Sequence, residues 1–420
     1  MRKDIYFQTP RRKWENDIVN NEYNNFEFLP KYKILFDGEI EQGQVKLTDN
    51  IKEKLKKNFI IKNLLNTKWK VKLYFNKYIP KYELENMDNY HGAVISQVFL
   101  KEKGRKKIPY ITYIENSHSI LGFNYENYED NRKRKRMNKH ITELIKDEYF
   151  KGFVFYSKRS KDGFYKYFKD IIPEDYKFID IVYPMIKNNS ELTIKKIEKK
   201  IEESRNIFKL IFVSSIFSLK GGIEIIEAYK VLKERINIEI TFITNEKTIP
   251  KEYLDYINND NNLKIIRNNL NNRQLIEQFN NSHVLLHPTF MDSTAIVVME
   301  ALNSALPVIA TDTFAIPEYI EHGINGFIME NPIKYWDDNY IPLKPNEVFG
   351  SVNTVEYITK IKETTIHQEV KNKLIEYITM CYENYETLSK SAFNKVSDYN
   401  FNEIVTREKW EQIINSYIVK

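Results

Sequence analysis

Hydrophobic and polar positions alternate in two distinct patterns along the second half of the chain. Short, nearly continuous apolar runs predict buried strands at 208–215, 238–244, 263–266, 283–287 and 307–310. Between these runs, apolar residues spaced three or four apart predict amphipathic helices at 221–234, 251–257, 272–280 and 294–304. Because such strands pair in parallel when helices cover both faces of the sheet, the pattern predicts a Rossmann-like α/β domain over 207–399.

The first half of the chain shows the same alternation less regularly. Apolar runs predict strands at 32–36, 69–75, 92–96, 108–114, 152–157 and 178–183, and hence a second Rossmann-like domain over 1–188. The stretch 189–206 is polar and charged, which predicts a linker with a surface helix between the two domains.

The segment 400–420 predicts a final helix that needs a partner surface. Asn400 and Glu403 have the spacing of a capping box at its start. Apolar residues at helical spacing follow, namely Ile404, Trp410, Ile413, Ile414 and Tyr417. One face of this helix should therefore pack on another part of the chain.

The amino-acid composition is typical of a folded globular protein with more than one domain. The 420 residues are 42% hydrophobic and 29% charged, which excludes a largely disordered chain. Cys381 is the single cysteine, so no intramolecular disulfide can form and a reducing cytoplasm is the expected location. The basic N-terminus is not followed by an apolar region, and no run has the length that spans a bilayer, so neither a signal peptide nor a membrane helix is expected.

Charge is distributed unevenly between the two halves. Residues 1–188 carry 38 Lys and Arg against 26 Asp and Glu, a net +12, whereas 189–420 carry 26 against 32, a net −6. A basic half favours an anionic acceptor, an anionic membrane surface or nucleic acid. The densest basic stretch, 131–140, is either a solvated helix or loop or a binding patch.

Two acids in the second domain are the strongest candidates for ligand binding. Asp292 and Glu300 lie eight residues apart around an apparent helix start, and eight helical residues rise about 12 Å. Carboxylates suit a hydroxyl-rich ligand because they accept strong hydrogen bonds from O–H groups. The backbone N–H groups of Ser293, Thr294 and Ala295 would lie at the helix N-terminus, where an anion is favoured. The alternative is an ordinary capped core helix preceded by an acid.

A second candidate follows the strand at 208–215. Small residues end this strand, and Lys220 and Gly221 open the next helix after a short loop. A lysine at this place could neutralise a phosphate group, although a loop lysine exposed to water is the alternative.

These stretches, together with ALNSALPVIATD at 301–312, resemble the C-terminal half of GT-B glycosyltransferases, in particular retaining glycosyltransferase family 4. The resemblance implies an α/β GT-B fold, in which two Rossmann-like domains face across a cleft and the last helix crosses back to the N-terminal domain. It also implies transfer of a sugar from a UDP- or GDP-sugar to an acceptor hydroxyl with retention of configuration. The expected acceptor is a glycan or glycolipid of a surface polysaccharide or glycoconjugate pathway.

The same resemblance assigns roles to individual residues. It implies that Asp292 contacts the donor sugar, that Glu300 holds the ribose, and that Lys220 holds the diphosphate. Family members often place a histidine after a strand of the N-terminal domain, and His118 is the matching candidate at the reacting centre, with Glu115 beside it.

The chain departs from the family pattern at two places. Ser215 stands where the family has an arginine for the diphosphate, and Phe314 and Ala315 stand where it has two glycines. These departures favour one alternative, a degenerate, non-catalytic protein that binds glycan or anions. A GT-B sugar-nucleotide 2-epimerase, which needs no acceptor, is the second alternative.

Several other chemistries are disfavoured by the sequence. The chain has no Asp-x-Asp motif and no histidines at metal-ligand spacing, so no obligate metal is expected. It also has no Walker A sequence, no G-x-G-x-x-G and no G-x-S-x-G. The overall prediction is a cytoplasmic glycosyltransferase, with no nucleic-acid partner and with peripheral contact to the inner membrane face through the basic half left open.

Overall fold

A computed structural model describes residues 2–8, 13–29, 81–84, 89–97, 99–101, 107–117, 120, 131–333, 336–341 and 366–419. The strands predicted at 32–36 and 69–75 lie outside these residues, as does His118.

The first domain is built on a parallel sheet of six strands. Its elements in chain order are β1 Lys3–Phe7, α1 Lys13–Asn20, β2 Phe26–Leu29, β3 Lys81–Glu83, β4 Gly92–Ser96, β5 Phe99–Lys101, β6 Tyr110–Ile114, α2 Asn131–Ile145, β7 Phe150–Phe155, α3 Lys158–Tyr167 and β8 Phe178–Ile181. The sheet has the order β2-β1-β4-β6-β7-β8, and β3 and β5 form a separate parallel pair. The strands predicted at 92–96, 108–114, 152–157 and 178–183 are thus confirmed within about two residues, whereas β1 and β2 were not predicted.

The second domain repeats this architecture. Its elements are α4 Ile194–Ser204, β9 Phe208–Ser214, α5 Gly222–Leu232, β10 Ile238–Thr244, α6 Lys251–Asn258, β11 Leu263–Arg267, α7 Asn272–Asn280, β12 Val284–His287, α8 Ile296–Leu302, β13 Val308–Thr311, β14 Gly326–Met329, α9 Gln368–Glu383 and α10 Tyr385–Lys395. The parallel sheet has the order β11-β10-β9-β12-β13-β14. The strand order reverses between β9 and β12, and the carboxyl ends at such a switch point are where α/β proteins bind ligands.

Helix α4 occupies the stretch that the sequence predicted to be a linker with a surface helix. Ile197 and Ile201 are buried in the core of the second domain, and Lys200 is buried beside them. One face of the helix is therefore part of the domain core, where it packs on α10.

The last helix, α11 Glu403–Tyr417, crosses back to the first domain as predicted. Trp410 is fully buried, with its ring edge-on to Phe7 at 5.7 Å, Phe28 at 5.9 Å and Tyr113 at 5.2 Å. A residue near the end of the chain thus completes the core that covers one face of the first sheet.

Two details of this helix differ from the sequence prediction. Asn402, not Asn400, is the N-cap, because its side chain accepts a hydrogen bond from the backbone N–H of Ile404 at 3.0 Å. Ile404 and Tyr417 are 48% and 41% exposed, so they are not part of the buried stripe that Trp410 belongs to.

Candidate functional site

The loops that follow β9 and β12 bring Lys220 and Asp292 together. The Lys220 ammonium lies 2.5 Å from Asp292 Oδ2 and donates to the carbonyl of Met291 at 2.6 Å. Gly221 fixes the course of the first loop, since its φ is 81° and a side chain there would meet the carbonyl oxygen of Pro288 at 2.4 Å. The structure therefore places two of the predicted site residues in direct contact at the switch point.

Asp292 is held by further partners on both carboxylate oxygens. His287 Nε2 lies 3.2 Å from Oδ2, and Oδ1 accepts from the backbone N–H groups of Ser293 at 2.8 Å and Ala295 at 3.1 Å. Burial alone would raise the pKa of Asp292, but Lys220 and His287 outweigh burial and hold the pKa well below its usual range. Burial lowers the pKa of His287, so this buried ring is neutral at pH 7 and donates to the carboxylate.

The start of α8 differs from the prediction that 293–295 lie at a helix N-terminus. Ala295 has a left-handed φ of 47°, so the helix begins at Ile296, and the N–H groups of Ser293 and Ala295 point to Asp292. The carboxylate of Asp292 thus occupies the position that the prediction left open for a diphosphate. The eight residues from Asp292 to Glu300 are not one helix, so the predicted rise of about 12 Å between them does not apply.

Glu115 links this loop to the first domain. Its buried carboxylate accepts from the hydroxyl groups of Ser293 at 2.7 Å and Thr294 at 3.2 Å, and from the amide of Gln97 at 3.1 Å. Glu115 directly follows β6, and this position just after a predicted strand is the sequence feature that identifies it. The segment that leads to His118 is therefore positioned against the loop that carries Asp292.

Glu318 forms a second link between the domains. Its two carboxylate oxygens accept from the backbone N–H groups of Lys158 at 2.9 Å and Arg159 at 2.8 Å, which open helix α3. The hydroxyl of Tyr183 donates to the same carboxylate at 2.7 Å, and burial together with Glu318 raises the pKa of this hydroxyl. The positive end of the helix dipole favours the acid at this position.

Phe314 fills the position where the family pattern has a glycine. It adopts a left-handed φ of 38°, and its ring lies 4.1 Å from that of Trp336. The Trp336 indole donates to the carbonyl of Asp292 at 3.2 Å, and the carbonyl of Phe314 accepts from the Arg159 guanidinium. Phe314 and the neighbouring Ala315 are buried, so packed side chains stand where the resemblance implied open backbone.

Glu300 lies on α8 and contributes to the wall of a cavity. Together with Ile296 of α8 and Asn303, the C-cap of that helix, it lines a cavity of about 270 Å³ whose other walls include Trp14 and Asp17 of α1. The lining residues of this cavity do not include Lys220 or Asp292. Glu300 therefore lines this cavity without Asp292, and Trp14, Asp17 and Asn303 are lining residues that the sequence pattern did not identify.

Ser215 is exposed just beyond β9, and its carbonyl accepts from the Thr248 hydroxyl at 3.4 Å. Within the described ranges, no hydrogen bond joins Ser215 to Lys220 or Asp292.

Among the residues that the structure describes, no group of three or more His, Cys, Asp or Glu side chains is arranged to hold a metal ion. No helix in the described part of the chain combines the length and apolar character needed to cross a membrane.

The chain is similar to known glycosyltransferases in sequence and in fold. Residues 193–338, which include Lys220, Asp292 and Glu300, match the family model described as glycosyl transferases group 1. The solved structure of WaaG, a glycosyltransferase involved in lipopolysaccharide biosynthesis, is 14% identical with a TM-score of 0.52, and the match covers 98% of this chain and 99% of that one. HepE from Anabaena, solved in complex with UDP, is 15% identical with a TM-score of 0.46 over 73% of this chain and 72% of that one. No curated protein matches the sequence.

The likeness to WaaG over almost the full length of both chains shows the fold. Two parallel six-stranded sheets with helices, and a last helix returned to the first domain, form a GT-B fold. The chain carries a glycosyl transferases group 1 match within that fold, and this match supports sugar transfer as its class of activity.

Proposed function

We propose that this protein is a retaining glycosyltransferase that moves a sugar from a UDP- or GDP-sugar to an acceptor hydroxyl. The contact between Lys220 and Asp292 at the switch point of the second sheet carries this proposal. It places a cation and a carboxylate beside each other, in contact with the first domain through Ser293 and Glu115. A cation suits a diphosphate, and a carboxylate suits sugar hydroxyl groups.

Lys220 is assigned to the leaving diphosphate. During transfer, the bond between the anomeric carbon and the phosphate oxygen breaks, and a bond from that carbon to the acceptor oxygen forms on the same face. The acceptor proton passes to the departing phosphate oxygen, and nucleoside diphosphate is released. A preorganised ammonium beside the leaving group stabilises the charge that develops there, which is electrostatic catalysis of the transition state.

Asp292 must release part of its present hydrogen bonding for the donor to bind. Its carboxylate now neutralises Lys220 and accepts from the N–H groups of Ser293 and Ala295. A diphosphate that approaches Lys220 competes with this carboxylate, and the freed oxygen can then accept from a sugar hydroxyl. Ser293, Thr294 and Ala295 thus contribute to donor binding only after this exchange.

The other candidate residues are assigned to the remaining parts of the donor and to the reacting centre. Glu300 is placed at the ribose, and Gly221 permits the close loop that presents Lys220. His118 is assigned to the reacting centre because Glu115, three residues earlier, already reaches the Asp292 loop. Ser215 is assigned a minor role at the diphosphate, where a hydroxyl is a weaker partner than the arginine of the family pattern.

The acceptor side is assigned to the basic first domain. Its net charge of +12 over 1–188 favours an anionic glycan or glycolipid, and also transient contact with an anionic membrane surface. We therefore propose a cytoplasmic role in the synthesis of surface polysaccharide or glycolipid, with peripheral contact at the inner membrane face.

The test is a metal-free thermal-shift screen of the wild type against UDP, GDP, ADP and CMP and their sugar conjugates. The expected result is stabilisation by UDP or GDP that is lost in Glu300→Ala and kept in Glu252→Ala, an exposed acid on α6. The stabilising sugar nucleotide is then supplied with glycolipid acceptors, and the anomeric configuration of the product is read by NMR. Inversion, conversion of the donor without an acceptor, or no stabilisation by any nucleotide would each contradict the proposal.

A further inference from the structure

The segment 336–341, which we call the strap, lies between the two domains. It follows β14 in the second domain, and its first residue, Trp336, is buried beside the loop that carries Asp292. Near its other end, Tyr340 packs on α3 of the first domain, where the Arg159 guanidinium lies 4.9 Å from the centroid of the Tyr340 ring. The strap therefore connects the first domain with the Asp292 loop.

Hydrogen bonds make the strap one compact turn. Asp337 Oδ1 accepts from the backbone N–H groups of Asn339 at 2.8 Å and Ile341 at 2.9 Å. The backbone N–H of Tyr340 donates to the carbonyl of Asp337 at 2.9 Å, and that of Asp337 donates to the carbonyl of Ile341 at 2.8 Å. Because these bonds close the turn on itself, a displacement of Tyr340 is passed on to Trp336, which directly precedes the turn.

Gly163 of α3 is where the backbone of the strap approaches the first domain. A Cβ atom at this position would lie 2.8 Å from the carbonyl oxygen of Tyr340, 3.1 Å from the Tyr340 Cβ and 3.3 Å from the carbonyl oxygen of Asn339. These three nearest atoms all belong to the strap. Glycine is unfavourable inside a helix compared with alanine, so the close approach of the strap is the physical reason for a glycine here.

Trp336 holds the backbone of the Asp292 loop. Its indole N–H donates to the carbonyl of Asp292 at 3.2 Å, and its ring lies 4.1 Å from that of Phe314. The next residue, Ala315, contacts the same loop through its N–H, which donates to the carbonyl of Ser293 at 3.3 Å. The carboxylate of Asp292 has separate partners, so Trp336 fixes the backbone and leaves the carboxylate able to exchange its hydrogen bonds.

We propose that Trp336 is a positioning residue for the donor sugar and that the strap makes its action depend on the first domain. When α3 is docked, Gly163 admits the strap, and Trp336 holds the Asp292 backbone where the carboxylate can accept from a sugar hydroxyl. Trp336 itself touches no substrate. The inference rests on the proposed function, in which Asp292 binds the sugar.

This arrangement couples closure of the domains to recognition of the sugar. A sugar bound at Asp292 favours the loop position in which the strap is docked, and docking favours sugar binding by the same factor. The diphosphate and the ribose are assigned to Lys220 and Glu300, so free nucleotide should bind almost independently of the strap. Undocking of the strap should therefore reduce the affinity for the sugar part of the donor and spare the nucleotide part.

The first test follows Trp336 without any ligand. The protein is labelled with 5-fluorotryptophan, which gives one ¹⁹F signal for each of the four tryptophans, and Trp336→Phe identifies the Trp336 signal by its loss. Gly163→Ala adds a Cβ atom that the strap cannot accommodate, and this variant should move the signal by more than its linewidth. Lys166→Ala, at an exposed position of the same helix, is the matched control and should leave the signal in place.

A second variant disturbs the same contact from the side of the strap. Tyr340→Ala removes the ring that Arg159 covers, leaves Gly163 unchanged and should move the same ¹⁹F signal. The melting temperature of each variant is measured so that loss of folding is not read as undocking of the strap.

The second test separates the sugar from the nucleotide by calorimetry. It compares UDP with UDP-glucose, or GDP with GDP-mannose, whichever pair stabilises the wild type. Trp336→Phe keeps an aromatic ring beside Phe314 and removes the indole N–H. In this variant and in Gly163→Ala, the affinity that the sugar adds should fall about threefold to tenfold, as for the loss of one hydrogen bond. Affinity for the free nucleotide should stay within about twofold of the wild type.

The outcomes separate the inference from the proposed function. If the Trp336 signal stays in place in Gly163→Ala and Tyr340→Ala, the strap does not link α3 to Trp336, and the inference fails. If both calorimetry variants keep the full contribution of the sugar, or lose affinity for the free nucleotide equally, Trp336 does not position Asp292; the inference then fails and the proposed function stands. If no nucleotide binds the wild type, the proposed function fails, and the sugar role of Trp336 fails with it.

Discussion

Removal of the Lys220 ammonium should destabilise the second domain more than the loss of an ordinary surface charge. In Lys220→Met, the Asp292 carboxylate stays buried without its cation, since both side chains are only 17% exposed in the wild type. Breaking a buried pair from one side costs about 3–5 kcal/mol. For a domain of this size, 1 kcal/mol shifts the melting temperature by about 2–4 °C, so the expected decrease is roughly 6–20 °C.

Differential scanning calorimetry of five proteins tests this reasoning: the wild type, Lys220→Met, Asp292→Asn, the double variant and a control. Lys390→Met is the control, because Lys390 forms an exposed pair with Glu386 at 2.6 Å, and this variant should melt within about 1 °C of the wild type. The double variant Lys220→Met/Asp292→Asn should recover part of the loss, because no unpaired charge remains buried. A melting temperature for Lys220→Met that matches the control, or a double variant equal to the sum of its singles, would refute the buried-pair interpretation.

The pH dependence of the same transition follows from the two shifted groups. The folded-state pKa of Asp292 lies below 3.8, so its contribution to stability is present above that pH and is lost as the pH falls below it. The folded-state pKa of His287 lies below 6.5, so the ring must be protonated on unfolding in acid, and stability declines as the pH falls below 6.5. The melting temperature of the second domain should therefore fall from pH 7 to pH 4 through His287 and fall further below pH 4 through Asp292. A flat profile from pH 7 to pH 4 would contradict the His287 assignment, and a flat profile below pH 4 would contradict the Asp292 assignment.

Three further substitutions test separate features of the structure. Burial lowers the pKa of Lys200 from 10.5 to about 7, which corresponds to roughly 4 kcal/mol of destabilisation of the folded state at pH 7. Lys200→Met should therefore raise the melting temperature at pH 7. This gain should disappear as the pH rises toward 10.5. Glu318→Gln weakens the contact with the start of α3 and should increase the radius of gyration in small-angle scattering, whereas the exposed Glu321→Gln should not. Gly221→Ala places a side chain against Pro288 at a φ of 81° and should cost about 1–3 kcal/mol in unfolding experiments; an unchanged melting temperature would contradict this account.

Strands β9 to β13 of the second domain could be predicted because they are short runs of mostly apolar residues, and β12 and β13 are buried at every position. The apolar run at 238–244 coincides with β10, and the run at 208–215 extends one residue beyond β9. Strand β1 was not predicted, because Lys3–Phe7 begins with two charged residues and offers only a short apolar stretch. Its place in the sheet, between β2 and β4, depends on partners that lie far along the chain.

The sequence singled out Lys220 and Asp292 as candidates, but the geometry around them could not be predicted. The spacing that identified Asp292 suggested a helix from 294, yet the carboxylate itself captures two backbone N–H groups and delays the helix to Ile296. The contact between Glu115 and Ser293 joins residues 178 positions apart. Only tertiary packing determines such contacts, so no local pattern in the sequence contains them.

The position of Trp410 constrains how the chain folds during synthesis. Domains generally fold as units in the order in which they leave the ribosome. The first domain, however, keeps an uncovered aromatic face at Phe7, Phe28 and Tyr113 until α11 has been made. During translation, the first domain therefore cannot complete its core until the second domain and α11 have been synthesised. Chaperones would bind the exposed aromatic face until then.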